Sequence, residues 1–254
     1  MNKLKLFAIA LLGMTIWSCG GDEKEEAKDV NVKLEMVVGE ESLITGTTYN
    51  INGIDLQFTN IAFYLGDMTF KNSDGSSSIN EGDSRYQLIK PGVFDYNFSI
   101  PYNIDGGDVT LDEITFIVGV DETTNNDDQT TFEMRPDGDP LGQQNPTMHW
   151  GWMGKYRFIS IDADADLDGN GVFGEDGEKL VYHLGKNNFL GNINLTPNQQ
   201  LESGANDFRI NVDFEKLFTG VDFNTEKFTK TGVDEIDIAN KVFANYSSAF
   251  TFEN

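Results

Sequence analysis

Cysteine, histidine and basic residues are what this chain has least of. Its 254 residues include one Cys and two His. One Cys cannot close an intramolecular disulfide, a Cys-based zinc finger or an iron–sulfur cluster. Two His cannot build a three-His zinc site. Lys and Arg number 18 against 42 Asp and Glu, for a formal net charge of −24 and a sequence pI of about 4.2. Such a surface repels a polyanion, so no nucleic-acid partner is expected. The one long apolar run, at the N-terminus, falls short of the ~20 residues that a membrane-spanning helix needs. No G-x-S-x-G, H-E-x-x-H or phosphate loop is found. The many carboxylates follow from composition and single out no acid–base pair. An enzyme is therefore not expected. What is present is an apolar fraction of 39%, aromatics at 12% and 19 Phe, enough for a packed core.

The first residues read as an address. Met1 to Lys5 is short and basic, and Leu6 to Trp17 is apolar except for Gly13 and Thr15. That length suits a secretory signal. Ser18-Cys19-Gly20 follows and resembles the lipobox of bacterial lipoproteins, in which the Cys is lipidated and becomes the first mature residue. The resemblance implies a signal peptide over 1–18 and a lipid membrane anchor through Cys19. It also implies an outer-membrane location, facing the periplasm or the cell surface. Removing residues 1–18 takes away Lys3 and Lys5 and no acid, so the charge moves from −24 to −26. Residues 19–29 form an acidic tether without apolar periodicity. The tether resembles the surface-export signals of some lipoproteins and reads equally well as a solvated linker.

Residues 30–254 read as one domain. Val30–Met36 alternates apolar and polar residues, as do Ile54–Phe58 and Phe208–Phe214. Ile61–Phe70, Val109–Val120, Tyr156–Ile161 and Leu180–Leu184 are further strands, and Lys71–Gly82 reads as loop. Ile236, Ala239, Val242, Phe243 and Tyr246 form a stripe at helical spacing, predicting a helix over Asp234–Tyr246. The expected fold is all-β, an antiparallel sandwich or barrel-like domain with a C-terminal helix and a calcium-type loop.

That loop covers residues 162–178 and carries Asp162, Asp164, Asp166, Asp168, Asn170, Glu175 and Glu178. Hard cations such as Ca²⁺ take six to eight oxygens from a tightly turning chain. Counting from Asp166 matches the first eight positions of an EF-type loop but puts Gly177 at position twelve, one before Glu178. Counting from Asp164 completes the motif at Glu175 and puts Gly171 at position eight. A solvated acidic turn is the plain alternative. Four alternating Asp would repel one another without a cation, which favours Ca²⁺, with Asp164, Asp166, Asp168, Asn170 and Glu175 as ligands.

His149 lies in Met148-His149-Trp150-Gly151-Trp152, and His183 in Tyr182-His183-Leu184-Gly185. The two segments flank the acidic loop, so a hairpin would bring both His, and the only two Trp of the mature chain, together. Two imidazoles on neighbouring strands can bind a borderline metal such as copper. A hydrogen-bonded structural role is the alternative, and spacing alone does not separate them. Met148 is a soft atom near the site, though a core position suits it better.

Residues 148–158, Met-His-Trp-Gly-Trp-Met-Gly-Lys-Tyr-Arg-Phe, resemble the M-H-W-x-W-x-x-G-Y-x-F segment of MbnP-like copper-binding proteins. Lys155 stands where that pattern has Gly. Phe116 to Asp121 is similar to the family's F-x-x-G-V-D, Tyr182 to Gly185 to its Y-H-L-G, and Val212 to Phe218 to its V-D-x-x-K-L-F. Phe58 to Met68 resembles its early tyrosine-bearing strand. The resemblance implies a secreted or lipid-anchored β protein that binds copper, with His149 and His183 as ligands. It implies a dihaem cytochrome c peroxidase-like partner of the MbnH type. That partner converts one tryptophan, Trp150 or Trp152, to kynurenine, which then helps form the copper site. A calcium-stabilised surface binding or adhesion module without copper is the second reading.

Overall fold

A computed structural model of the chain describes residues 28–73, 75, 77–79, 85–90, 96–102, 109–151, 155–202, 204–231 and 235–253. The strands are β1 (Lys28–Val38), β2 (Glu41–Ser42), β3 (Thr48–Ile51), β4 (Ile54–Asn72) and β5 (Ser77–Ile79). They continue with β6 (Tyr86–Ile89), β7 (Tyr96–Tyr102), β8 (Val109–Val118), β9 (Arg157–Asp166) and β10 (Lys179–Gly185). The last are β11 (Gly191–Leu195), β12 (Gln199–Leu201), β13 (Gly204–Asp213), β14 (Phe228–Thr229) and β15 (Phe250–Glu253). Short helices α1 (Glu122–Asn125), α2 (Gln129–Glu133) and α3 (Phe214–Leu217) precede α4 (Ile236–Ala244) and α5 (Tyr246–Ala249). Among the described residues the chain is mostly β, as the alternating sequence pattern predicts.

Two sheets form. One has the order β15-β13-β1-β2, with β7 also on β1; the other has the order β11-β8-β4-β9-β10-β14, with β3, β5 and β6 added to β4 and β12 to β8. Pairing is antiparallel except at β1/β13 and β10/β14, which are parallel. The parallel β1/β13 pair joins segments distant in sequence, with Lys28 opposite Gly204. Val32, Leu34 and Met36 of β1 and Phe208, Ile210 and Val212 of β13 are buried at period two, so the core lies on one face of this sheet. Phe250 of β15 meets Phe63 and Phe116 of the other sheet edge-on, at ring-centroid distances of 6.3 and 5.4 Å.

β4 organises the larger sheet. The sequence splits it at Asn60; the structure keeps it continuous and absorbs the break as a register shift between Phe58 and Asn60 in its pairing with β9. Its Asp55–Phe63 half pairs with β9 and its Leu65–Asn72 half with β8, so β8 and β9 part from β4 at this point and the sheet curls. Gly119 sits at the parting, donating to the Tyr64 carbonyl at 2.9 Å with φ 125. A side chain there would collide with the Phe158 ring, which accounts physically for the Gly in the F-x-x-G-V-D segment. Asp121 of the same segment caps α1 and accepts from the Tyr86 hydroxyl.

Three expectations need correction. Residues 162–166 are strand rather than loop, because Ala163 and Ala165 are buried at period two and carry the pattern through the Asp run. Part of the expected 71–82 loop is also strand, in the end of β4 and in β5. The C-terminal helix starts at Ile236 and is interrupted at Asn245, whose amide donates to the carbonyls of Leu217 and Thr219. Its stripe packs as expected: Ala239, Val242 and Tyr246 are buried.

Candidate metal centre

β9 and β10 form the hairpin that carries the site. His183 lies opposite Ser160, and Val181 opposite Asp162. Ile159, Ile161 and Ala163 of β9, with Leu180, Tyr182 and Leu184 of β10, point into the core. Ser160, Asp162 and His183 therefore share the outer face. His183 is nevertheless only 6% exposed. Its Nε2 lies 2.9 Å from Asp162 Oδ1, and Asp162 Oδ2 accepts from Asn60 at 2.9 Å. Burial alone would raise the Asp162 carboxyl. The His183 and Asn60 hydrogen bonds and the Arg157 charge outweigh it and hold the group below its ordinary range. An ionised carboxylate only accepts, so Nε2 carries the proton, and in the neutral ring the lone pair is on Nδ1. That Nδ1 is buried and makes no hydrogen bond.

Trp150 closes the neighbouring position. Its ring lies over Gly185, two residues from His183 on the same face of β10, where any side chain would strike the indole or the Tyr156 carbonyl. The Arg157 guanidinium stands 5.7 Å from the ring centroid. Burial lowers the Arg157 pKa, against the pull of Asp162. Indole Nε1 and Arg157 Nε are both buried without partners. Among the described residues, Trp150, Arg157 and His183 thus each bury a nitrogen without a partner, which calls for a reason in a folded protein.

His149 is held differently. It forms an isolated antiparallel bridge with Tyr156, stacks on Phe132 at 4.1 Å and 12°, and meets the Tyr156 ring edge-on at 4.9 Å. Its Nδ1 accepts from the Gly151 amide at 3.0 Å. Burial, then the Lys155 charge, pushes its pKa down, so the ring is held neutral with the proton on Nε2. Among the described residues no hydrogen bond or ring contact joins His149 to His183. His149 and Trp150, adjacent in sequence, thus serve separate environments, as strand alternation implies.

The connecting turn explains the departure at Lys155. Trp150 N donates to the Lys155 carbonyl at 2.9 Å, and Lys155 takes φ 59, a left-handed conformation that Gly adopts without penalty. The Lys155 ammonium is anchored on the Asp127 carbonyl at 2.7 Å, which offsets part of that strain. Met148 is a core residue, 2% exposed. Trp152 and Cys19 lie outside the described residues.

At the far end of the hairpin, Asp164 and Asp166 are the last outward residues of β9, and Asp168, Asn170 and Glu175 follow in the loop. Asp166 accepts from the amides of Asn170 and Gly171, and Asp168 from that of Asn170. The Asn170 side chain donates to Asp168 and, at 2.7 Å, to Glu175. Asp164 packs against Gly174 instead. Among the described residues, no three His, Cys, Asp or Glu side chains stand close enough together to hold a metal ion as they are placed. Glu178, outside the expected ligand set, is buried beneath the loop.

The sequence profile of the MbnP family matches residues 27–235. The solved structure of MbnP from Methylosinus trichosporium superposes with a TM-score of 0.59 at 15% identity, covering 89% of this chain and 98% of that one. At that identity the likeness bears on the fold. A comparison with curated proteins finds no match.

Proposed function

The chain belongs to the MbnP family, and from that premise we propose that it is a copper-binding envelope lipoprotein anchored through Cys19, with His183 as the first copper ligand. The observation that carries this reading is the buried, unpartnered Nδ1 of His183, set by the bond from Nε2 to Asp162. Metal-binding imidazoles characteristically donate their other nitrogen to a carboxylate, which fixes the tautomer and raises ligand basicity. Copper accepts imidazole nitrogen readily. His149 serves as the second imidazole only if the Gly151 amide releases its Nδ1, so its contribution is the smaller one.

Kynurenine formation is assigned here to Trp150. Its indole lies over Gly185, two residues along β10 from His183, and its Nε1 lacks a partner among the described residues. A dihaem peroxidase partner of the MbnH type would supply the oxidising power. Two peroxides deliver two oxygen atoms across the indole C2–C3 bond and leave as water; hydrolysis then removes the formyl carbon as formate. The product carries an aryl amine and a ketone, neither of which indole offers. The protein itself is a binder and carries out no catalysis. The hairpin loop adds a structural Ca²⁺ that stiffens the two strands bearing Asp162 and His183. The adhesion-module reading has less support: among the described residues Phe228 is the one large aromatic that is well exposed.

The test is metal analysis and peptide-resolved mass of protein purified from its native envelope. Copper together with a kynurenine at position 150 is expected. Copper-free protein with both Trp intact would overturn the reading.

A further inference from the structure

The acidic loop can be counted in two registers, and Glu178 decides between them. It is 8% exposed, and its Oε2 is buried with no hydrogen-bond partner. A buried carboxylate oxygen without a donor is costly unless a cation meets it. The other oxygen, Oε1, accepts from the amides of Leu167 and Asp168 at 3.1 and 3.3 Å, so the carboxylate is turned under the first turn of the loop. The Glu178 carbonyl accepts from Ala165 at 3.0 Å, pinning that end of the loop to the end of β9.

Above Glu178 the side chains fold inward from Asp166. Asp166 Oδ1 and Oδ2 each accept from a backbone amide, of Asn170 and Gly171, at 2.9 Å. Asn170 Oδ1 accepts from Val172 at 2.7 Å. Asp166, Asp168 and Asn170, with the 172 carbonyl next, fall at the alternate positions from which a calcium loop takes its oxygens. Asp164 is out of this series, since its carboxylate packs on Gly174. Glu175 is tied up at the rim by the Asn170 amide.

We propose that the loop binds one Ca²⁺ in the register that begins at Asp166, through Asp166, Asp168, Asn170 and the Val172 carbonyl, with Glu178 as the closing carboxylate in place of Glu175. This rests on the calcium reading above and names its ligands. An extra residue before the closing acid separates this loop from the twelve-residue EF type, and a buried rather than exposed acid closes it.

The test uses the purified, chelator-stripped protein, titrated calorimetrically with Ca²⁺ and melted with and without it. Wild type is expected to bind one Ca²⁺ and to melt higher with it. Asp166→Asn and Glu178→Gln should each weaken binding by about tenfold or more, while Glu175→Gln stays within about threefold. Gln at 178 keeps an acceptor for the Leu167 and Asp168 amides, and the melt without Ca²⁺ verifies that the variant folds. If Glu178→Gln fails to fold, Asp166→Asn against Asp164→Asn makes the same discrimination between registers. No Ca²⁺ response in wild type would overturn the calcium reading altogether. A response lost in Glu175→Gln or Asp164→Asn but kept in Glu178→Gln or Asp166→Asn would leave calcium standing and overturn this register.

Discussion

His183 and His149 differ in what holds each imidazole. His183 donates a hydrogen bond from Nε2 to Asp162, and its other nitrogen is buried without a partner among the described residues. His149 lies between Phe132 and Tyr156 and spends its lone pair on the Gly151 amide. Both are buried and both sit beside β9, yet only one arrangement leaves a ring nitrogen without a partner among the described residues. Burial of a histidine therefore says little about metal binding. The second nitrogen, and what it is bonded to, says most of it.

Substitutions can break this contrast. The largest effect is expected from His183→Ala, which should abolish copper binding in titrations, whereas His149→Ala should leave measurable affinity. Equal losses would erase the distinction. Asp162→Asn removes the carboxylate that fixes the His183 tautomer and should lower copper affinity ~10–100-fold with the fold intact by circular dichroism. Gly185→Ala forces a methyl group against Trp150 and the Tyr156 carbonyl and should cost ~1–3 kcal/mol in denaturant unfolding. An unchanged midpoint would show that the indole is free to move.

The smallest effect concerns acid. The His149 pKa is lower in the folded chain than its ordinary 6.5, so the unfolded state binds the proton more readily. The neutral ring's contribution is thus complete above that value and is lost as pH falls below it toward the folded pKa. In copper-free protein, melting temperature should fall more between pH 7.5 and 5.5 in wild type than in His149→Phe. Parallel curves would remove the burial argument for His149.

Much of the fold is legible wherever one face of a strand is buried. Val32, Leu34 and Met36, or Phe208, Ile210 and Val212, announce their strands by period alone. Asn60 hides the continuity of β4, because a polar residue at a bulge looks like an end. The Asp run from 162 to 166 conceals the end of β9, since attention falls on charge while the strand signal is the pair of alanines between. The parallel β1/β13 pairing depends on contacts that no local pattern encodes. At the site, the two His and Trp150 can be found from the sequence. Asp162 could have been found as well, since it lies diagonally across the hairpin from His183. Glu178 is visible in the sequence only as the acid one past position twelve, because motif spacing does not show its burial.

The most direct test of the copper site is long-range ¹H–¹⁵N NMR of the His183 ring, before and after Cu(I) is added. The copper-free ring should carry its proton on Nε2, and Cu(I) should shift the Nδ1 resonance while the Nε2 proton persists. A proton on Nδ1 in the copper-free protein, or a Cu(I)-induced shift confined to Nε2, would contradict the assignment of His183 as the copper ligand.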